Sequence, residues 1–438
     1  MPHRASLCAS HRALLCAPTA TAGARRHVWR KPRAGALPLL AICALACCAF
    51  PETQTAARAQ QPTGPLSAPT RPGGDASAPA GTLSAPTRPA PPAATSAGKH
   101  RVNPGNDGNQ GAPARILARA RPAPTGRPIT LDGLAYINLV HFAKELGCTA
   151  AWKKTGDKKN PEILVLSKGS RRYEFTVGSR EFTADGVRVF AGSAIRATRG
   201  TLWMSRIDAT NLFEPIVAPA NGRRSATPLK IIAIDAGHGG IDKGKINERL
   251  KIFEKDMALD TARRLKPLLE KQGFKVVMTR ATDKKIELAD RPEFAAKAGA
   301  GLFVSIHYNS VESNLQNVSG IEVYRFTPRY QAPVSRTDVR IEDKIGNPGD
   351  AHGFWSSVAA YDIHRALLAG LKAPDRAFKH HKFAVLRLAK CPAVLVEAGF
   401  LSNDAEARKI NTPAYRQKIA EAIAAGIKAY ADAAAGST

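Results

Sequence analysis

The feature that most constrains the fold is a regular alternation of apolar runs and amphipathic stretches across residues 228–432. Strands are predicted at 231–235, 275–279, 302–307, 321–324, 383–388 and 393–397. Helices are predicted at 254–273, 287–298, 355–371 and near 413–431, and Pro267 predicts a kink or break in the first of them. Strands that alternate with helices indicate βαβ units. The expected class is α/β, with a mostly parallel twisted sheet flanked by helices.

The N-terminal third of the chain differs in composition. Residues 1–35 are basic and without acidic side chains, and an apolar run of fifteen follows at 36–50. This run is too short to span a bilayer, so residues 1–59 are interpreted as a signal peptide with a long basic leader. Residues 60–127 are rich in Pro, Ala, Ser and Thr, which predicts a disordered linker.

Residues 128–218 have the short strands, separated by Gly and Asp, that are typical of a small α+β module. Short strands are predicted at 149–152, 163–167, 172–177, 187–190 and 201–205, after a helix at 140–147. In pattern, without a sharp motif, this stretch resembles the N-terminal domain of copper amine oxidases. The resemblance implies a stalk or wall-binding module. No catalytic set of residues is visible in it.

The net charge limits the possible partners, and the positions of the cysteines limit the possible disulfide bonds. The net charge of +28 favours an anionic partner, such as an acidic wall polymer or anionic lipid. Nucleic acid is not expected, because no nucleic-acid-binding motif accompanies the charge. Only Cys148 and Cys391 lie beyond residue 50; they are most simply core thiols, although a bridge between them remains open.

Four side chains are candidates for chemistry because of where they fall relative to the predicted strands. His238, His307 and Glu397 each follow or end a strand, and Glu254 opens a helix. The carboxyl ends of parallel strands meet at one edge, where ligands bind in open α/β sheets. Two histidines and one glutamate form the ligand set of a hydrolytic zinc site, and a second carboxylate can accept the proton of a water.

Other histidines lack such placement. The adjacent His380 and His381 are predicted to precede a strand at its amino end. Together with His352 and His364, they are interpreted as surface or supporting groups rather than ligands.

The catalytic part resembles the zinc-dependent N-acetylmuramoyl-L-alanine amidases, which cut bacterial peptidoglycan. The matching blocks are Ile-Asp-Ala-Gly-His-Gly-Gly at 234–240, Glu-Lys-Asp at 254–256, Thr-Arg at 279–280, Val-Ser-Ile-His-Tyr-Asn at 304–309 and Pro-Ala-Val-Leu-Val-Glu-Ala-Gly-Phe-Leu-Ser-Asn at 392–403. The resemblance implies one zinc ion held by His238, Glu254 and His307, with Glu397 as the catalytic carboxylate. Arg280 and Asn309 are candidates for substrate binding or for supporting the site.

Two positions depart from the family pattern. Ala236 stands where the family usually has proline. Activator-controlled members carry a helical insert that blocks the zinc, whereas residues 325–354 here read as loop. Residues 341–344 are compatible with one helical turn, which would bring Glu342 into consideration as a blocking ligand.

The expected function is zinc-dependent hydrolysis of the amide between N-acetylmuramic acid and L-Ala, in cell-wall remodelling or daughter-cell separation. The alternatives are a zinc peptidase acting on stem peptides and a non-catalytic wall-binding protein. The expected partners are peptidoglycan and an activator protein. The protein is expected to be exported to the periplasm or cell wall and to act as a monomer.

Overall fold

The computed structural model describes residues 126–156, 162–198, 200–222 and 229–436. The predicted signal peptide and all but the last two residues of the predicted linker lie outside these ranges. Among the described residues, no helix combines the length and apolarity needed to cross a membrane.

The first described part, up to residue 222, is built mainly from short antiparallel strands. Its strands are β1 Ile129–Leu131, β2 Leu134–Asn138, β3 Thr149–Lys154, β4 Glu162–Lys168, β5 Arg171–Phe175, β6 Glu181–Ala184, β7 Val187–Phe190, β8 Arg196–Thr198 and β9 Thr201–Ser205. Its helices are α1 Leu139–Glu145, α2 Arg206–Asp208 and α3 Glu214–Val217, with a π-helical segment at Ala209–Phe213 and a 3-10 helix at Pro219–Asn221. Helix α1 begins where the side chain of Asn138 accepts the backbone N–H of His141 at 3.0 Å.

The second part, from residue 229, alternates strands and helices as expected. Its strands are β10 Ile231–Ala236, β11 Ile246–Asn247, β12 Ile252–Phe253, β13 Lys275–Met278, β14 Leu302–Asn309, β15 Ile321–Phe326, β16 Asp375–His381 and β17 Ala393–Phe400. Its helices are α4 Glu254–Lys271, α5 Asp290–Lys297, α6 Gly353–Leu371, α7 Ala384–Arg387, α8 Asp404–Ile410 and α9 Pro413–Ala435. Three 3-10 helices cover Leu315–Asn317, Ile341–Lys344 and Pro348–His352.

One eleven-stranded sheet runs through both parts, in the order β13-β10-β14-β17-β15-β16-β7-β6-β5-β4-β3. Strands β13, β10, β14 and β17 are parallel neighbours, β15 is antiparallel to β17, and β3 to β7 form an antiparallel meander. The two parts meet where β7 pairs with β16, with Val189 opposite Phe378. The α/β class with helices beside a mostly parallel catalytic sheet is therefore confirmed, and the sheet is mixed as a whole.

A continuous core lies between this sheet and its helices. It includes Phe175, Phe182 and Phe213 from the first part together with Ile232 and Ile363 from the second. The Phe175 and Phe182 rings stack at a centroid distance of 4.8 Å, and Phe213 meets both edge-on. Because one core serves both parts, the small module packs as an extension of the catalytic sheet.

Three sequence predictions were wrong in detail. Residues 383–388 form helix α7 rather than a strand, since a short apolar run does not by itself distinguish the two. The strand lies instead at β16, so His380 and His381 are at its carboxyl end and not before a strand. Helix α4 continues through Pro267, so the predicted break is absent, while the alternative of a kink stays a prediction. Pro267 is exposed, so its ring lies on the solvent side of the helix.

Two other expectations are confirmed. Between the end of β15 and the start of α6, at 327–352, the chain forms short 3-10 helices and no long helix, and Ile341–Lys344 is the single turn that the sequence allowed. Cys148 and Cys391 are both free and buried, as core thiols.

Candidate metal centre

Three of the four candidate side chains converge at the carboxyl edge of the parallel strands. The ligand atoms of His238, Glu254 and His307 all lie within 4.8 Å of one another. Oε1 of Glu254 is 3.0 Å from Nε2 of His238 and 2.9 Å from Nδ1 of His307. The two imidazole rings meet edge-on, with centroids 4.9 Å apart. Residues separated by up to 69 positions thus form one group that can hold a metal ion.

The glycines of the turn after β10 allow this convergence. His238 itself has a left-handed backbone, with φ of 60°. Gly237 packs against the ring of His307, where a Cβ would clash. A Cβ on Gly244 would come within 2.5 Å of Cδ2 of His238 and 2.6 Å of Oε2 of Glu254. The backbone can therefore approach the site only where side chains are absent.

The carboxylate of Glu254 is enclosed by hydrogen-bond donors. Its Oε1 also accepts the backbone N–H of Tyr308 at 3.1 Å, and its Oε2 accepts that of Lys245 at 2.7 Å. Burial opposes the ionisation of Glu254, but the hydrogen bonds with His238 and His307 outweigh it and hold its pKa well below the ordinary value. The group is therefore ionised, as a metal ligand must be.

Asp242 contacts His238 on the side of the ring opposite Glu254. The sequence analysis did not identify this residue. Its Oδ1 lies 2.9 Å from Nδ1 of His238, the ring nitrogen that faces away from Glu254. A carboxylate in this position fixes the tautomer and orientation of a ligating histidine. The sequence signal was an acid four residues after a histidine in a glycine-rich turn, which is weak by itself.

Arg280 lies beneath the turn and is only 1% exposed. Its guanidinium donates to the carbonyls of Ala236, Gly237 and Lys255 at 2.9, 2.7 and 2.8 Å. Burial, with the charge of Arg291 added, lowers the pKa of Arg280. These contacts favour a role for Arg280 in supporting the turn. Contact between Arg280 and substrate remains a prediction.

Arg291 is a second buried arginine under the same turn, and nothing in the sequence singled it out. It forms an ion pair with Asp235 at 2.9 Å and donates to the carbonyl of His238, also at 2.9 Å. Together the two guanidinium groups bind the carbonyls of residues 236–238, so they fix the loop that carries one histidine.

Glu397 lies beside the three-residue cluster and belongs to the neighbouring strand. In the β14–β17 register it stands directly opposite His307. Its Oε2 is buried and has no hydrogen-bond partner among the described residues. Burial, followed by the negative charges of Glu254 and Glu322, raises the pKa of Glu397 well above the ordinary value. A raised pKa favours the protonated form of Glu397, which a group that donates a proton requires.

Asn309 lies at the carboxyl end of β14 and is hydrogen-bonded to Glu322. Its Nδ2 donates to Oε2 of Glu322 at 2.7 Å, and it is half-buried. Glu322 is 3% exposed, stands opposite Glu397 in the β15–β17 register, and is bound by Lys379 at 2.5 Å. Sequence reasoning missed Glu322, although a charged residue inside the apolar strand at 321–324 carries the same signal that identified Glu397.

The other histidines among the described residues do not join the cluster. His364 and His380 are fully buried, which excludes a surface position for both and leaves the supporting role as the prediction. His364 binds Asp375 through Nε2 at 2.8 Å. Glu342 is largely exposed and pairs with Arg336 at 3.5 Å; it is not among the residues of the metal cluster.

Two imidazoles and a buried carboxylate, with a further acid on the adjacent strand, define the class as a candidate metal-dependent hydrolase. Comparison with known proteins supplies the family. A model of the N-acetylmuramoyl-L-alanine amidase family matches residues 232–429. The chain belongs to this family, and the expected enzyme class is confirmed.

Several known proteins are similar to the second part of the chain. The chain is 34% identical over 211 residues to the uncharacterized protein YqiI of Bacillus subtilis, covering 48% of this chain and 89% of that protein. It is 37% identical over 233 residues to the N-acetylmuramoyl-L-alanine amidase AmiC of Escherichia coli O6:H1, covering 48% of this chain and 55% of that one. An N-acetylmuramoyl-L-alanine amidase structure from Clostridium difficile 630 aligns with 31% identity and a TM-score of 0.40, over 47% of this chain and 98% of that one.

Proposed function

We propose that the protein is a zinc-dependent N-acetylmuramoyl-L-alanine amidase that hydrolyses the amide between N-acetylmuramic acid and L-Ala in peptidoglycan. The observation that carries the proposal is the cluster of His238, Glu254 and His307 within 4.8 Å, with Glu397 on the adjacent strand. Membership of the amidase family supports the reaction, and the donor set supports the metal.

The residues present fit a zinc ion. Zinc takes imidazole nitrogen and carboxylate oxygen, and hydrolytic sites use three protein ligands with one position left open. Here the carboxylate of Glu254 is ionised and central to the group, and Asp242 holds His238 from behind. His238, Glu254 and His307 would hold the ion. A bound zinc ion polarises a carbonyl and makes water more acidic.

The chain's own groups account for proton transfer and positioning. Glu397 accepts the proton of the attacking water at its carboxylate and then donates it to the amine that leaves as the N-terminus of L-Ala. Arg280 and Arg291 hold the 236–238 loop in place. Asn309, oriented by Glu322, is proposed to contact substrate at the same edge.

The test pairs Glu397→Gln with Glu312→Gln, a control at an exposed glutamate on a nearby loop. Peptide release from purified sacculi should fall about 1,000-fold or more in Glu397→Gln, because the proton acceptor is gone. Zinc content, measured by elemental analysis, should stay at one ion per chain in both variants. His307→Ala should lose the zinc itself, and chelation should stop hydrolysis by the wild type.

Product analysis separates the proposed reaction from its alternatives. An amidase releases sugar-free peptides that keep an intact L-Ala terminus, whereas a stem-peptide peptidase yields shorter fragments. Binding to sacculi without any release would indicate a wall-binding protein. Unchanged release by Glu397→Gln would remove Glu397 from the mechanism.

The wider setting belongs to the proposal as well. The enzyme is proposed to be exported to the periplasm or cell wall, with peptidoglycan as its substrate and an activator protein as a partner. The resemblance of residues 128–218 to a copper amine oxidase N-terminal domain, the wall-binding role and the monomeric state remain predictions.

A further inference from the structure

A fully buried arginine in the second part has no hydrogen-bond partner in the described residues. Arg325 lies on β15 at 0% exposure, and Nε, Nη1 and Nη2 of its guanidinium all lack acceptors. Burial lowers the pKa of Arg325 to about 10, so it still carries a charge at neutral pH. A buried charge without a counter-charge is strongly unfavourable. The three nitrogens of this guanidinium thus have no acceptor among the described residues.

The groups around Arg325 leave an excess of positive charge. Arg180, from the first part, also has a buried Nη2 without a partner. The ring of His380 is fully buried, and burial, together with the two arginines, lowers its pKa well below the ordinary value, so it is neutral. Asp208 is the carboxylate whose charge reaches both arginines. Two guanidinium charges and one carboxylate leave a net charge of +1.

Asp208 is already committed to other donors. Its Oδ1 accepts the backbone N–H of Gly192 at 2.8 Å, and its Oδ2 accepts those of Ser193 at 3.0 Å and the hydroxyl of Ser205 at 2.6 Å. These bonds hold the carboxylate on its own side of the junction. It therefore does not supply the acceptor that Arg325 lacks.

The guanidinium also lies at the start of helix α6. A Cβ on Gly353, the first residue of that helix, would lie 3.8 Å from Nη1 of Arg325 and 3.2 Å from Oδ1 of Asn211. His352 precedes the helix and gives it no side-chain cap. The N-terminus of a nineteen-residue helix attracts negative charge, so the helix and the guanidinium favour the same kind of ligand.

We propose that a small monovalent inorganic anion of chloride size binds against the guanidinium of Arg325 at the start of α6. One negative charge neutralises the local excess, and a monatomic ion needs the least room among fully buried groups such as Arg325 and His380. The surrounding groups come from both sides of the β7–β16 junction: Arg180 and Asn211 from the first part, Arg325 and Gly353 from the second. The anion therefore stabilises the joining of the two parts and acts independently of the proposed hydrolysis.

The first measurement is thermal unfolding at constant ionic strength while gluconate is replaced by chloride. An ion that binds only the folded state raises the unfolding temperature by about 2 °C or more for each tenfold increase above its dissociation constant. Crystals grown with bromide should show an anomalous peak within hydrogen-bond distance of the Arg325 guanidinium. Equal unfolding temperatures in both salts, or an empty position in the bromide map, would overturn the proposal.

The matched variants are Arg325→Met and Arg206→Met, the latter an exposed arginine at the start of α2. Arg325→Met keeps the apolar stem and removes the charge, so it should lose the chloride-dependent shift while Arg206→Met keeps it. In gluconate, Arg325→Met should unfold at or above the wild-type temperature, because an unpaired charge has been removed. A chloride shift in Arg325→Met equal to that of the wild type would contradict the assignment. If this variant does not fold, the bromide map of the wild type decides alone.

Discussion

At the scale of single residues, the candidate site combines candidate metal ligands with side chains that position those ligands. His238, Glu254 and His307 face one another, while Asp242 and Arg280 face away from the metal position and fix the backbone or ring orientation. These three candidate ligands can be identified from the sequence because each stands at the end of a strand or the start of a helix. The side chains that position them were harder to find, because their role depends on which carbonyls and rings surround them.

Arg280→Lys separates support of the loop from substrate contact. Lysine keeps the charge but cannot bind three carbonyls as a planar fork, so we expect the free energy of unfolding to fall by about 3 kcal/mol. Zinc occupancy should fall with it, while KM for wall fragments in zinc-loaded enzyme stays near the wild-type value. A raised KM with unchanged stability and zinc content would instead assign Arg280 to the substrate.

Asp362, on α6, makes stability depend on pH. Burial raises its pKa to about 6, against opposing effects of Arg365 and Arg171. The unfolded chain, with an ordinary aspartate pKa, binds fewer protons between about pH 4 and pH 6, so this group makes the protein less stable as the pH rises through that window.

Asp362→Asn should therefore raise the free energy of unfolding by about 2 kcal/mol at pH 7–8 and by almost nothing at pH 4. Urea unfolding at both pH values measures the difference. An equal effect at the two pH values would show that the change comes from packing rather than from ionisation.

At the scale of elements, the errors of prediction around β16 and α7 have a common cause. Strand β16 has the sequence Asp-Arg-Ala-Phe-Lys-His-His. Its many polar residues give no sequence pattern that would predict a largely buried strand. Its polar side chains find partners only in the folded state, where Asp375 contacts His364 and Lys379 pairs with Glu322. The apolar run that followed looked more like a strand but forms the short helix α7.

Pro267→Ala tests the element whose predicted break was wrong. Proline in a helix interior removes a hydrogen bond and costs about 3 kcal/mol relative to alanine, partly offset by its restriction of the unfolded chain. Because Pro267 is exposed on α4, we expect the free energy of unfolding to rise by about 1–2 kcal/mol. Lys271→Ala, an exposed control in the same helix, should change it by less than about 0.5 kcal/mol. A fall in stability would mean that the proline ring contributes packing that its exposure conceals.

At the scale of the whole molecule, the eleven-stranded sheet and the shared core tie the two described parts together. If the first part were an independent stalk, it would unfold separately from the catalytic part. Because the sheet continues through the β7–β16 pairing, we expect the two parts to unfold together.

Calorimetry of the protein should therefore give one main transition for the described parts. Val189→Ala at the junction should lower it, with a cost of about 2 kcal/mol for the buried methyl groups, whereas Thr130→Ala on the exposed face of β1 should leave it nearly unchanged. Two well-separated transitions, with Val189→Ala affecting only the first, would restore the picture of an independent module.

The sequence by itself indicated the α/β class, the family and the four candidate side chains, three at strand ends and one at the start of a helix. Those features depend on local periodicity and on the rule that parallel strands end at one edge, and both can be read along the chain. Only the tertiary structure decided that residues 128–218 extend the catalytic sheet, that Arg280 and Arg291 hold the histidine loop, and that Glu322 stands beside Glu397. It also placed Arg325 without an acceptor. These features depend on which distant groups share a buried space, because the energy of a buried charge is set by its neighbours rather than by its place in the sequence.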